Sequence, residues 1–206
     1  MTPDNPPHAN TGRARRSARS SLREFVGSRD GTAAIEFALL AIPYFLIVFA
    51  IIETFVAFTA EQVVSNAVDT LSRQIRTGQI TAANTTSQQF RQAFCNQISV
   101  LITCSSTEVQ TPASLYLDVE SYSSFASMPT TIPRKSSTDP YSDLSTTGFT
   151  FTPGGAKSLN MVRAYYRWQI ITDLLRPYLT NVHPTDGSAS VYLIVATAAF
   201  QNENYP

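Results

Sequence analysis

The stretch GTAAIEFALLAIPYFLIVFAIIETF, residues 31–55, decides how the rest of the chain is read, because it is apolar enough for lipid yet holds two acids. Glu36 stands at its mouth, and Glu53 stands where it should be finishing. No residue from Phe37 to Ile52 is charged, and these sixteen residues form a helix of roughly 24 Å at about 1.5 Å per residue, short of the ~30 Å hydrocarbon core. A helix from Ala33 to Phe58 crosses that core, but only with both glutamates close to its boundaries. An ionisable group in such a place needs a partner or a proton, and is by default a candidate functional residue. Pro43 predicts a kink in the first turns.

Charge around this stretch is lopsided although the 206 residues carry no formal net charge. Six arginines (Arg13, Arg15, Arg16, Arg19, Arg23 and Arg29) precede Gly31 against three acids, leaving nine basic and twelve acidic residues downstream. Hydrophobic residues make up 43% and charged ones 15%, below the roughly 25% usual in soluble domains. Residues 1–31 are rich in Pro, Ser and Arg, bury too little to offset ordering entropy, and read as a disordered basic leader. Beside an apolar segment, the arginines hold the N-terminus in the cytoplasm by the positive-inside rule, and nucleic-acid binding is not expected. Residues 32–59 then form a transmembrane helix and residues 60–206 a periplasmic α+β domain. A cleaved secretory signal would have a shorter apolar core, about 7–15 residues, with small residues at its cut. AFTA at 57–60 does not have small residues at both required positions.

Gly31 followed by Thr-Ala-Ala-Ile-Glu-Phe has the form of a prepilin peptidase site: a basic leader ends in Gly, and Glu stands five residues after the cut. With the arm, residues 31–55 resemble the TadE-like pseudopilins of the tight-adherence (Flp) pilus system. The likeness continues in SRQIRTGQI, FRQAFCNQISVLITC, VRAYYRWQI and VATAAFQNENYP. It implies that a membrane-embedded aspartic prepilin peptidase cuts between Gly31 and Thr32, so that the protein is a substrate of catalysis. It further implies that Glu36, with Phe37 beside it, acts in processing and assembly, its carboxylate pairing with the new N-terminal ammonium of a neighbouring subunit. Two groups each costly in low dielectric become tolerable as a hydrogen-bonded pair. The implied partners are the peptidase, other pseudopilins and pilus assembly components, and the lipid bilayer. The implied location is the bacterial inner membrane, single-pass, with a surface pilus as a further destination. Glu53 is expected at the interface with water or lipid headgroups as partners.

Downstream, Val63, Ala67, Leu71 and Ile75 form an i, i+4 row flanked by Val64 and Val68, which extends the helix to about Thr77 with Gly78 at its C′ position. The row is expected to pack on the protein's own domain. A second helix is predicted from about Thr86, with Phe90, Phe94, Ile98 and Leu101 at helical spacing. Cys95 and Cys104 are the only cysteines. A periplasmic location favours a disulfide between them; two reduced buried thiols are the alternative. Two thiols without a nearby histidine fall short of a zinc shell, and no metal or cofactor is expected.

SLYLDVESY (114–122), MVRAYYRWQII (161–171) and VYLIVATAAF (191–200) read as strands of a small antiparallel sheet, the last apolar enough to be central. Asp118 and Glu120 share one strand face and are expected to meet solvent. Residues 123–158 form a Ser/Thr/Pro-rich loop long enough to be functional or mobile. A short helix is expected around 173–179, with the turn HPTDGS after it. His8 and His183 are the only histidines, and no phosphate loop, nucleophile elbow or zinc-protease motif is present. The chain therefore reads as a non-enzymatic structural or assembly protein. The second reading is an uncleaved membrane-anchored periplasmic binding module that uses the loop 123–158.

Overall fold

Unbroken apolar periodicity carries the first helix, α1 (Arg29–Arg76, 48 residues), with Pro43 inside it. The computed structural model describes residues 29–205, with side chains from Thr32 onward. The arm bearing Arg13, Arg15, Arg16, Arg19 and Arg23 therefore lies outside the described residues. Within the leader expected to be disordered, Arg29 to Gly31 are already helical, because a nucleated helix gains one hydrogen bond for each residue it adds. The helix ends as its sequence predicts. Gly78 takes φ +76°, its amide donates to Ile75, and Gln79 donates back to Gln74, which is a Schellman closure. A side chain at Gly78 would also strike the Tyr205 ring.

The described residues fall into two compact units, one ending at Val48 and the other beginning at Phe49. In the first unit the α1 side chains are exposed or half-buried; Tyr44 and Phe45 meet edge-on, ring centroids 5.4 Å apart.

The second unit opens with the rest of α1 and continues with α2 (Ser87–Ile98), α3 (Ser106–Gln110), β1 (Leu115–Tyr122), a 3-10 turn (Phe125–Ser127), β2 (Phe151–Thr152), β3 (Leu159–Trp168), α4 (Arg176–Leu179) and β4 (Tyr192–Gln201). Thr86 and Gln89 cap α2 reciprocally, as a capping box does. Phe90, Phe94 and Ile98 are buried, while Leu101 lies beyond the helix and Ile102 fills the core in its place. Cys95 and Cys104 form a disulfide, Cα atoms 5.7 Å apart; a loop of about ten residues contributes about 2–3 kcal/mol in the chain-entropy view.

The sheet order is β2-β1-β3-β4. β1 and β4 run antiparallel to β3, but β2 joins β1 in parallel, so the sheet is mixed rather than purely antiparallel. The exception comes from FTFTPGG at the end of the long connection, which returns beside β1 after a crossover. β4 is an edge strand, not a central one. It is apolar because both faces of its first half are covered: Ile194 and Ala196 pack on the helices, Val191 and Leu193 against Leu144, Tyr165 and Val182.

The helix-facing layer joins Val64, Val68, Leu71 and Ile75 of α1 to Phe90 and Phe94 of α2 and to Leu115, Val119, Val162 and Ile194 of the sheet. The stripe therefore packs on its own unit, centred one residue beyond Val63, which is only half-buried. The opposite face of the sheet is covered too. Asp118 is 3% exposed and sits directly across from Arg163, whose Nε and Nη2 donate to it at 3.2 and 2.7 Å. This corrects the solvent-facing expectation: the connection 123–158 lies over that face, and the Thr150 amide donates to Asp118 as well. A slip of one residue would separate this pair, so the pair fixes the β1–β3 register.

The long connection is tied down rather than loose. Arg134 bridges to Leu144, and the buried Asp143 accepts from Lys135 at 2.8 Å and Arg167 at 2.7 Å. Burial by itself would raise the Asp143 carboxyl, but Lys135, Arg167 and the Leu144 amide outweigh it and hold the group below its ordinary value. A depressed carboxyl stabilises the fold above its unfolded pKa, about 3.9, and that contribution is lost as pH falls through the lower folded value. Asp143→Asn is therefore expected to destabilise the full chain by about 1–3 kcal/mol at neutral pH. The difference from wild type should shrink below about pH 4. Denaturant unfolding followed by the single tryptophan, Trp168, reads both.

Candidate functional site

The two acids of α1 have different surroundings. Glu36 is exposed, with Phe37 exposed beside it, and among the described residues Glu36 forms no hydrogen bond or ion pair. The Gly31–Thr32 bond lies in the first turn of α1.

Glu53 is buried, 8% exposed, and has found partners inside the protein. Oε1 accepts from the Ile171 amide at 2.5 Å and Oε2 from the Thr172 amide at 3.0 Å. The carboxylate thus caps the backbone where the chain leaves β3, in place of the water or headgroup partners expected for it. It is also the first member of the buried α1 row that continues through Ala57, Ala60, Val64, Ala67, Leu71 and Ile75, in steps of three and four residues that keep one face on the sheet. Two turns further along α1, Glu61 accepts from the Tyr192 hydroxyl at 3.2 Å. Glu108 of α3 uses the same chemistry, accepting the amides of Ala113, Ser114 and Leu115 at 2.8–3.0 Å. No sequence pattern marks Glu53's role, because its donors lie 118 and 119 residues away.

Elsewhere in this unit, a cleft of about 420 Å³ opens between the outer sheet face and residues 125–132, lined by Phe125, Met128, Ile132, Met161, Tyr165 and Val195. The exposed His183 stacks on Tyr141 with centroids 5.2 Å apart and meets the Thr180 hydroxyl at 3.1 Å.

Among the described residues, one helix is long and apolar enough to cross a membrane, by length and composition. Residues 31–73 match the family described as TadE-like protein. The match begins at the proposed cut, takes in Glu36 and Glu53, and ends at Arg73, before the disulfide and the sheet. It supports a pilus-associated protein of the tight-adherence type in general, from a family that is not enzymatic in general, and the apolar helix fits a single-pass membrane protein of such a system. No curated protein and no solved structure matches the chain.

Glu53→Ala is expected to leave the Ile171 and Thr172 amides without acceptors. Hydrogen exchange at those two amides should quicken, and the detergent-solubilised chain should lose about 1–3 kcal/mol of stability. Glu53→Gln, which keeps one carbonyl acceptor, should fall between the two.

Proposed function

We propose that this protein is a minor pseudopilin or assembly protein of an adhesive tight-adherence (Flp) pilus, made as a precursor and cut between Gly31 and Thr32 by a membrane-embedded prepilin peptidase. The family match that starts at Gly31 and includes Glu36 carries this reading. The basic leader stays in the cytoplasm, Ala33 to Phe58 cross the inner membrane, and residues 60–206 stand in the periplasm, where the disulfide persists. The protein works without cofactor, metal or catalysis of its own; its partners are the peptidase, related pseudopilins and assembly components.

Cleavage turns the amide nitrogen of Thr32 into an ammonium. On an apolar helix, Glu36 then has a suitable partner in the ammonium of a neighbouring subunit, and each charge offsets the other's loss of water. Before cleavage that ammonium does not exist, so processing switches assembly on. Glu36→Gln preserves shape and removes the charge. Leaving a desolvated charge unpaired costs several kcal/mol, so pilus number and surface adherence in the native host should fall about tenfold or more. Membrane levels of the protein should hold. Assembly and adherence at wild-type level, in this variant and in a deletion strain, would refute the role.

The 420 Å³ cleft favours a second reading, an uncleaved membrane-anchored periplasmic module that binds a ligand beneath residues 125–132. That reading leaves Glu36 without a task, and the Glu36→Gln strain separates the two.

A further inference from the structure

We propose that the segment between β3 and β4, Ile170–Leu179, seats in the bilayer interface beside α1 and gives the second unit its own grip on the lipid surface. The proposal rests on reading α1 as membrane-spanning, and adds a contact that the span itself does not supply.

The placement comes first. Glu53 holds the amides of Ile171 and Thr172, fastening the start of this segment to one turn of α1. On one side of that turn, Trp168 and Ile171 line a hollow of about 180 Å³ with Phe49, Ile52 and Val56. On the other, Ile170, Leu179 and Tyr192 line a similar hollow with Ala57 and Phe58. The segment therefore straddles α1 between Phe49 and Phe58. About twenty helical residues cross the hydrocarbon core, and twenty counted from Ala33 end at Ile52. The anchored turn thus stands at the level of the bilayer boundary.

The surface comes second. Ile171 is 84% exposed, Leu174 63% and Tyr178 85%, three large side chains within eight residues. Around the same turns of α1, Phe49, Ile52, Phe55 and Phe58 also face outward, so the apolar surface of the span runs on into the segment. The two charges in the segment, Asp173 and Arg176, pair with each other at 2.6 Å, and Arg176 also donates to the Ile170 carbonyl at 3.2 Å. The segment thus brings no net charge to the interface. Tyr178, with an apolar ring and a polar tip, is the residue type that settles at headgroup level. A lipid surface continuous with that around α1 covers all three exposed side chains without a further protein. The single tryptophan of the chain simplifies the test.

The full chain, carrying Trp168→Phe and one new tryptophan at a time, is reconstituted in phosphatidylethanolamine–phosphatidylglycerol vesicles whose acyl chains are brominated near the headgroup. Leu174→Trp and, independently, Tyr178→Trp are expected to lose emission to the bromolipid and to be shielded from aqueous iodide. Phe45→Trp, within the span, serves as the control with bromines placed deeper. Quenching of Phe45→Trp by deep bromines, with both loop reporters open to iodide and untouched by bromolipid, would overturn the proposal and leave the span intact. An unquenched Phe45→Trp would overturn the span, and the proposal with it. Loop reporters shielded from iodide yet untouched by bromolipid would place a protein surface there, a second copy or another subunit, and would also overturn it.

Discussion

A carboxylate on an apolar helix must find hydrogen-bond donors, and the chain meets that demand once internally and once not. Glu53 takes the amides of Ile171 and Thr172. From this turn on, α1 has a buried face as well as an exposed one. From that residue the buried row advances by threes and fours to Ile75, and the Schellman closure at Gly78 ends it. The sheet then has one face on α1 and α2 and the other under the long connection, where Asp118–Arg163 and Asp143–Arg167 replace a purely apolar layer. Such pairs add less net stability than apolar packing would, but they are costly to mismatch. Here they hold register and pin the connection.

Local signals were readable from the residues alone. The apolar run and Gly78 bracket the α1 helix, and Phe90, Phe94 and Ile98 at helical spacing announce α2. The strand segments were evident from branched and aromatic residues, and the two cysteines had only each other. Signals that depend on distant partners were hidden. β4 reads as central because it is apolar, but its apolarity reflects covering on both faces. Two residues of FTFTPGG are too few to announce a strand, so the sequence reads as a purely antiparallel sheet. Asp118 and Glu120 obeyed strand alternation, which says which face they share but not whether a connection thirty residues away closes over it. Glu53 was the plainest case: its oddity was visible in the sequence, its partners were not.

Glu36 is what remains once Glu53 has been accounted for. Glu53 is bonded within the second unit, whereas Glu36 has no partner among the described residues; under the proposed reading it is left for another molecule. The family match spans both acids and stops before the sheet. Under the proposed reading, cutting the Gly31–Thr32 bond creates an ammonium, the partner proposed for Glu36. In this account the leader does more than orient the chain; while attached, it withholds the partner.

The central claim is that this chain is processed at Gly31. The most direct test is the N-terminal sequence of the protein recovered from the membranes of its own host. The account predicts a chain that begins at Thr32. A chain that begins at Met1 or Thr2 in cells with an active prepilin peptidase would contradict it.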